Sequence, residues 1–175
     1  MENGDVLSVN EAELMEYYGL NGFNGKIRLR LKLIRSWILH KWAYSSTWSN
    51  NVIRIQRSRG VKIGENCHIS PYVLLDLVYP HLIEIGNNVT VGSNVMIFSH
   101  VNPTANLSFK KSHFPRKTAK VIIKDGAVIN PGSIITAGVT IGNNSIVSVG
   151  CSVFEDVPDR CVVLGNPARV VKKIE

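Results

Sequence analysis

The sequence has 175 residues, 45% of them hydrophobic, and a formal net charge of +7. This length favours one domain with a substantial core, and the lack of any run of about eighteen apolar residues argues against a membrane span. The three cysteines, Cys67, Cys151 and Cys161, lack C-x-x-C spacing, which argues against zinc or disulfides and favours a reduced, cytoplasmic protein. Glu2 and Asp5, with no apolar run beside them, argue against a signal peptide.

The first 60 residues are predicted to form a helical, basic segment. Ser8 to Glu11 has the pattern of a capping box, which predicts a short helix that reaches about Tyr18. From Lys26 to Leu33 the alternation of charged and apolar residues suits a strand, but an apolar stripe at helical spacing continues beyond it and favours a helix. This stripe consists of Ile27, Leu31, Ile34, Ile38 and Trp42.

The same segment concentrates positive charge. Between Asn21 and Gly64 there is no acidic residue. One interpretation is a solvated face on a helix that caps the open end of the following structure, with the apolar stripe buried, and this one is preferred. Another is attraction to an anionic membrane surface or acceptor, and nucleic acid is a weaker third. The ten basic residues are Lys26, Arg28, Arg30, Lys32, Arg35, Lys41, Arg54, Arg57, Arg59 and Lys62.

From Ile123 to Val157 an aliphatic residue recurs at every sixth position, which fits neither a helix nor a simple strand. This is the period of a hexapeptide repeat, in which each unit is a short strand and a turn. Three units form one triangular coil, with the aliphatic residue inward and a small or branched residue at the corner. Gly142-Asn143-Asn144 marks one corner, because Gly and Asn tolerate positive φ. The inward residues are Ile123, Ile129, Ile135, Ile141, Val147 and Val153, and the corner residues are Ala127, Ser133, Val139, Ser145, Cys151 and Val157.

The same register begins upstream and is interrupted twice. The stretch from Leu75 to Ile85 is longer than one unit, and the spacing from Ile97 to Ile123 exceeds four units by two residues. Both breaks predict loops that project from the coil, and a loop as long as the second, about 103–120, is often functional. The coil is predicted over residues 61–158 and a tail over 159–175.

Three motifs make the chain resemble the left-handed parallel β-helix acyltransferases, among them the maltose, galactoside and xenobiotic acetyltransferases and the sugar O-acetyltransferases of polysaccharide clusters. The motifs are Ser-His-Val-Asn-Pro from Ser99, Ala-Gly-Val-Thr-Ile-Gly from Ala137, and Gly-Asn-Pro-Ala-Arg-Val-Val-Lys-Lys from Gly165. The resemblance runs from about Val61 to Ile174. It implies a mainly β fold, a left-handed parallel β-helix with an N-terminal helical segment and a protruding loop.

The resemblance also implies a coenzyme A donor bound partly by the tail. Basic side chains would meet the coenzyme A phosphates, and a backbone amide near Gly138 would stabilise the oxyanion. Two departures from the family change the walls of the site: Gly126 to Asn130 lacks the tryptophan common in relatives, and Glu155 replaces a possible phosphate partner. The implied donor contacts in the tail are Pro167 and Ala168 at the adenine and Arg169, Lys172 and Lys173 at the phosphates.

Acyl transfer to a hydroxyl or amine needs a base, and histidine titrates in the suitable range. His100 begins the second break and matches the catalytic histidine of the family, with His113 as the second choice near the acceptor. The loop from Asn102 to Lys124 holds no carboxylate that could orient the histidine. Asp76 is the best candidate for that carboxylate, and it also matches an acceptor-binding position of the family. The five histidines are His40, His68, His81, His100 and His113.

The sequence therefore predicts a coenzyme A-dependent acyltransferase that moves acetyl from acetyl-CoA to a sugar hydroxyl, without a metal and without nucleic acid. The resemblance implies a homotrimer with active sites between subunits, located in the cytoplasm or peripheral to the inner face of the membrane. An amino sugar as acceptor, or a non-catalytic assembly platform, are the alternatives. A zinc carbonic anhydrase on the same scaffold is disfavoured, because no closely spaced histidine pair is present.

Overall fold

The computed structural model describes residues 6–101 and 104–175. Three helices precede the coil: α1 (Val6–Tyr17), α2 (Gly22–Ser45) and α3 (Ser49–Arg59). The segment that begins at Lys26 is helical, as favoured by its apolar stripe. The predicted start of the first helix is wrong, because α1 begins before Ser8. Glu2, Asp5, Asn102 and Pro103 lie outside the described residues.

The rest of the chain consists mostly of very short strands. A 3-10 helix at Pro80–Leu82 and a helix α4 at Leu107–Ser112 interrupt them. The strands in chain order are β1 Lys62–Ile63, β2 His68–Ile69, β3 Leu74–Leu75, β4 Ile83–Ile85, β5 Thr90–Val91, β6 Met96–Ile97, β7 His100–Val101, β8 Lys117–Thr118, β9 Val121–Ile123, β10 Val128–Ile129, β11 Ile134–Ile135, β12 Thr140–Ile141, β13 Ile146–Val147, β14 Ser152–Val153, β15 Cys161–Gly165 and β16 Ala168–Lys173.

These strands form the predicted parallel β-helix. Its three faces are the sheets β1-β4-β9-β12, β2-β5-β10-β13-β15 and β3-β6-β11-β14, and every pair within them is parallel. Strand β16 extends the second sheet as an antiparallel partner of β15, so the tail forms a hairpin. Each coil thus contributes one strand to each face, as a six-residue repeat requires.

The predicted register of the repeats is confirmed. All six inward aliphatic residues between Ile123 and Val153 are at most 1% exposed, and the six corner residues are at most 4% exposed. In neighbouring coils, equivalent residues pair directly, for example Ile135 with Ile97 and with Val153. The interior is therefore a continuous aliphatic stack, closed at the corners by small side chains.

The corner at Gly142-Asn143-Asn144 needs its residues for two different reasons. Asn144 has a φ of 53°, which is the left-handed conformation expected at this turn. Gly142 does not have positive φ; it is required because a Cβ there would lie 2.4 Å from the backbone nitrogen of Asp159 in the next coil. The glycine therefore allows close approach of two coils rather than an unusual backbone angle.

Both breaks in the repeat project from the coil, as predicted. The first contains the 3-10 helix before β4. The second leaves along β7 and returns along the antiparallel β8, with α4 near its far end; residues 104–120 are called the arm below. The arm was predicted as a loop without pattern, but it contains α4, whose first turn is capped by the Asn106 side chain at the Phe109 amide.

The N-terminal helices do cap the coil, but not with the expected face. Val52 and Ile53 of α3, together with Ala43 of α2, join the aliphatic core at its first coil. The stripe that was expected to be buried, which includes Ile34 and Trp42, is exposed instead. The reason is geometric: α2 uses its opposite side to contact the coil. In the described parts of the chain, no helix combines the length and apolarity that crossing a bilayer would need.

Candidate functional site

The two breaks in the repeat bring Asp76 and His100 together. Asp76 directly follows β3, and His100 begins β7. The Nδ1 atom of His100 lies 2.5 Å from Oδ2 of Asp76, and the histidine side chain keeps 17% of its surface exposed while the carboxylate is fully buried. The contact therefore joins an accessible imidazole to an inaccessible carboxylate.

Backbone amides complete the surroundings of this carboxylate. Its Oδ1 accepts hydrogen bonds from the amides of Val78 and Tyr79, and its Oδ2 accepts one from the amide of Ser99. Burial by itself would raise the pKa of Asp76, but the hydrogen bond from His100 and those from the Tyr79 and Ser99 amides hold it at about 2. Asp76 is consequently ionised at neutral pH, although it is buried.

An ionised carboxylate can only accept hydrogen bonds, so it fixes the tautomer of the histidine. The proton of a neutral His100 ring lies on Nδ1, where it is donated to Asp76, and the lone pair lies on Nε2. The ring is further held by Tyr79, whose ring meets it edge-on at a centroid distance of 5.2 Å. This arrangement can take a proton at Nε2 and stabilise the imidazolium that results.

Arg59 holds the backbone next to this carboxylate, a role that its position in the sequence does not indicate. Its side chain is 7% exposed, and its guanidinium donates to the backbone carbonyls of Leu75 and Asp76, at 3.3 and 2.7 Å. It also donates to Gln56 Oε1 and to Ser36 Oγ. A basic residue that was assigned to a solvated face thus anchors the backbone from which the Asp76 side chain extends.

A cleft of about 350 Å³ lies beside two neighbours of His100. Its walls include Tyr79, which contacts the His100 ring, and Thr118, which pairs with His100 across β7 and β8. Helix α1 provides Glu13 and Tyr17 on the other side. The cleft therefore combines aromatic faces, carboxylates and a guanidinium, and Tyr79 and Thr118 link it to the histidine. Its lining residues are Glu13, Glu16, Tyr17, Tyr79, Pro115, Arg116 and Thr118.

Charged contacts tie α1 to the arm beside this cleft. Lys110, which is 1% exposed, donates to Asn10 Oδ1 at 2.6 Å and to Glu13 Oε2 at 2.7 Å. Arg116 donates to Asn10 and lies 3.1 Å from the Glu13 carboxylate. A buried lysine is costly unless it is paired, so these contacts fix the arm against α1 in one arrangement.

Gly138 lies close to the same site. It occupies a coil corner with a φ of +91°, and a Cβ built on it would be 3.5 Å from the Ala119 side chain. Ala119 lies near the end of the arm and donates its amide to the Ser99 carbonyl, next to His100. Gly138, the position expected to provide an oxyanion donor, is thus linked to His100 through Ala119 and Ser99.

The remaining histidines lie in other surroundings. His113 follows α4. Its Nδ1 atom shares a hydrogen bond of 2.6 Å with the Ser112 hydroxyl, and its ring stacks on Phe109, so its contacts are local to the arm. His40 is buried, and burial together with the nearby Arg59 charge lowers its pKa to about 4. His81 bonds to the Tyr17 hydroxyl, and His68 lies near Ser70. A role for His113, or for Asp76, in contact with an acceptor stays a prediction.

The predicted donor residues lie on the hairpin of β15 and β16. Arg169, Lys172 and Lys173 are exposed on β16. Pro167 lies in the turn, where the Asn166–Pro167 peptide bond is cis, and Ala168 pairs with Gly165. Arg169 lies 3.7 Å from Glu155, the residue that departs from the family pattern. The cations are thus available to a phosphate, and one of them is paired with a neighbouring acid.

Within residues 6–101 and 104–175, no three His, Cys, Asp or Glu side chains converge as a metal site would require. The three cysteines are free. Cys151 and Cys161 are buried, Cys67 is partly exposed, and none contacts His100 among the contacts described.

Comparison with known proteins gives relatives over most of the chain, although no family model matches it. Protein CapG of Staphylococcus aureus is 35% identical over 125 residues, which cover 68% of this chain and 69% of CapG. WcaF of Escherichia coli, provisionally named a colanic acid biosynthesis acetyltransferase, is 27% identical, with 87% and 91% covered. The chain spans between 44% and 63% of the length of other curated relatives that it matches.

The chain is also similar to a solved structure in both fold and sequence. It is a galactoside acetyltransferase in complex with coenzyme A, with a TM-score of 0.65 and 25% identity, and the match covers 84% of this chain and 82% of that one. The matched part of this chain is longer than the coil and tail together. The match therefore includes most of the β-helix and also part of the helical segment.

Proposed function

The chain belongs to the hexapeptide-repeat acetyltransferases, and we propose that it transfers acetyl from acetyl-coenzyme A to a sugar hydroxyl with His100 as general base. The observation that carries the proposal is the contact between His100 Nδ1 and the buried Asp76 carboxylate. It leaves the Nε2 lone pair available in an accessible ring. The names of a galactoside acetyltransferase and of a colanic acid biosynthesis protein among the similar proteins support a sugar acceptor and a role in polysaccharide biosynthesis.

In this proposal the acceptor hydroxyl occupies the cleft next to Tyr79. His100 Nε2 takes its proton as the oxygen attacks the thioester carbonyl, and the carbon–sulfur bond breaks when the tetrahedral intermediate collapses. The imidazolium then returns the proton to the departing coenzyme A thiolate. The backbone at Gly138 stabilises the negative oxygen of the intermediate, and the ionised Asp76 stabilises the imidazolium.

The donor binds along the coil and against the hairpin of β15 and β16. Arg169, Lys172 and Lys173 meet its phosphates, while Pro167 and Ala168 border the adenine. The exposure of the three cations fits this role. The active sites lie between the subunits of a homotrimer, and the reaction takes place in the cytoplasm, where acetyl-coenzyme A is available.

The test compares two histidines in the same assay. Purified protein is incubated with acetyl-coenzyme A and a panel of neutral sugars and amino sugars, and the released thiol is measured. His100→Ala is expected to lower turnover by about two to four orders of magnitude. His113→Ala is the matched control and should keep turnover within a few fold.

The opposite ranking of the two variants would move the base to the arm. Acetylation of amino sugars alone would replace the O-acetyltransfer proposal with N-acetyltransfer. Absence of thiol release with every sugar, together with tight acetyl-coenzyme A binding, would count against a sugar acceptor. Absence of both binding and release would favour a non-catalytic β-helix.

A further inference from the structure

Helix α2 presents an apolar stripe on the side that faces away from the coil. Its five residues are between 42% and 62% exposed. The residues that α2 buries, such as Leu29 and His40, lie on the opposite side when the helix is projected at about 100° per residue. The stripe is therefore no part of this chain's own core. It consists of Ile27, Leu31, Ile34, Ile38 and Trp42.

Cations border this stripe on both sides. In the same projection Arg28 and Arg35 lie along one edge, and Arg30 and Lys41 lie along the other. All four are exposed. The nearest described acid is Glu11 of α1, which bonds to Arg30 at 2.8 Å. The face consequently combines apolar surface with a net positive border.

The tryptophans add a second observation, two of them lying outside the stripe. The chain has three, and all three lie exposed on or next to α2: Trp37 is 59%, Trp42 62% and Trp48 73% exposed. Tryptophan is enriched at interfaces between an apolar phase and water, because its ring is apolar and carries one polar N–H group.

An apolar groove lies beside the stripe. It has a volume of about 300 Å³ and lies between α2 and the segment that follows β3. Ile34 and Trp37 form one wall, and Leu77 and Val78 form the other. Leu77 is the residue after Asp76, so the groove borders the backbone that carries the Asp76 carboxylate.

We propose that the exposed face of α2 docks on the surface of an anionic lipid bilayer. An amphipathic helix with an apolar stripe and a basic border lies in the interfacial plane, where the stripe enters the acyl boundary and the cations meet the lipid phosphates. Charge argues against a second copy of the same face as the occupant, because its cations would be set against these cations. The proposal goes beyond acetyl transfer and does not depend on it.

The test is flotation of the full chain with vesicles of phosphatidylcholine, with and without phosphatidylglycerol. The protein should float only with the anionic vesicles, and added salt should weaken the binding. The double variant Leu31→Glu/Ile38→Glu, at two exposed positions, should abolish flotation. Val149→Glu/Phe154→Glu makes the same change at two exposed apolar residues of the coil and should float like the unmodified protein.

A second pair of variants tests the charged border. Arg28→Gln/Lys41→Gln should lower the affinity for anionic vesicles about 25-fold at low salt, about 5-fold for each cation. Lys117→Gln/Arg160→Gln removes two cations elsewhere and should leave the affinity within a few fold. This pair decides the question if the glutamate variant does not fold.

Three results would overturn the proposal. The first is no flotation of the unmodified protein with anionic vesicles at low salt. The second is unchanged flotation of either α2 variant while it remains folded. The third is a lower mass of the Leu31→Glu/Ile38→Glu variant in sedimentation velocity, which would assign the face to a contact between copies of this chain. The assay needs no turnover, so it stands apart from the test of His100.

Discussion

The regular coil from Ile123 to Val157 and the two breaks in the repeat bury different kinds of side chain. The coil buries aliphatic residues, and its corner serines donate to backbone carbonyls, as Ser133 does to Asn130 and Ser145 to Pro158. The breaks bury ionisable groups: Asp76 and Lys110 are each 1% exposed. In this part of the molecule charge is satisfied by specific partners, whereas in the coil it is kept out of the interior.

The difference gives a reason why the proposed site lies at the breaks. Each regular coil offers the same surroundings as its neighbours, so no position in it is unique. Leu75 pairs with Ile97 in the third sheet, so the chain leaves the coil twice at adjacent positions. The two departures bring Asp76 and His100 together although they are 24 residues apart.

The largest expected effect concerns the carboxylate in the first break. Asp76→Asn should lower turnover by about two to four orders of magnitude, close to the loss from His100→Ala. The asparagine amide does not impose a proton on Nδ1, so Nε2 loses its defined lone pair, and the imidazolium loses its counter-charge. The measurement is steady-state thiol release, in which kcat should fall more than the acetyl-coenzyme A affinity.

Asp125→Asn is the control in the regular coil. Asp125 accepts a backbone hydrogen bond from Asn87 at a corner, so it makes the same type of contact without a histidine. Its turnover should stay within a few fold of the unmodified protein. Equal losses in the two aspartate variants would remove the distinction between breaks and coil.

The second effect concerns the aliphatic stack. Ile135→Ala should lower the free energy of unfolding by about 2 to 5 kcal/mol, because it opens a cavity between two neighbouring coils. Ile134, the preceding residue of β11, is only partly buried, so Ile134→Ala should cost clearly less. Urea unfolding at one fixed protein concentration measures both, and a larger loss at Ile134 would contradict the inward register.

The coil could be predicted from the sequence because it depends on local rules repeated many times. A period of six with aliphatic and small positions is typical of a parallel β-helix. The corner at Asn144 follows from the tolerance of Asn for positive φ. The reason predicted for Gly142, a positive φ, was wrong, since the glycine is required by its close contact with Asp159 of the next coil.

The site was predictable only in part. His100 could be predicted from its motif and its position at a break. Its contact with Asp76 depends on the pairing of Leu75 with Ile97, and a sequence pattern does not determine which strands pair. Arg59 was assigned to solvent, because a basic residue in a basic segment has no local mark of burial. Helix α2 shows the same limit: its stripe predicted a helix correctly and a buried face incorrectly, since periodicity does not tell which side contacts the coil.

The third effect is the acid dependence of stability. The pKa of Asp76 is lowered from 3.8 to about 2, so its contribution is fully present above pH 4 and is lost as the pH falls towards 2. This contribution is roughly 2 kcal/mol. Asp76→Asn should therefore show a shallower loss of unfolding free energy between pH 4 and 2 than the unmodified protein. Parallel curves for the two proteins would show that the carboxylate is not stabilised by its partners.

The smallest effect concerns the tail, where the charges are exposed. Arg169 lies 3.7 Å from Glu155, and both side chains are more than half exposed, so each change should alter coenzyme A affinity only a few fold. Arg169→Ala and Lys172→Ala should weaken coenzyme A binding, and Glu155→Gln should strengthen it, because the carboxylate competes with the phosphates for Arg169. Calorimetry at low and physiological salt measures these affinities, and salt should reduce all the differences. If Glu155→Gln weakened the donor instead, Glu155 would be positioning Arg169 rather than competing for it, and the departure from the family pattern would be an adaptation of the donor site.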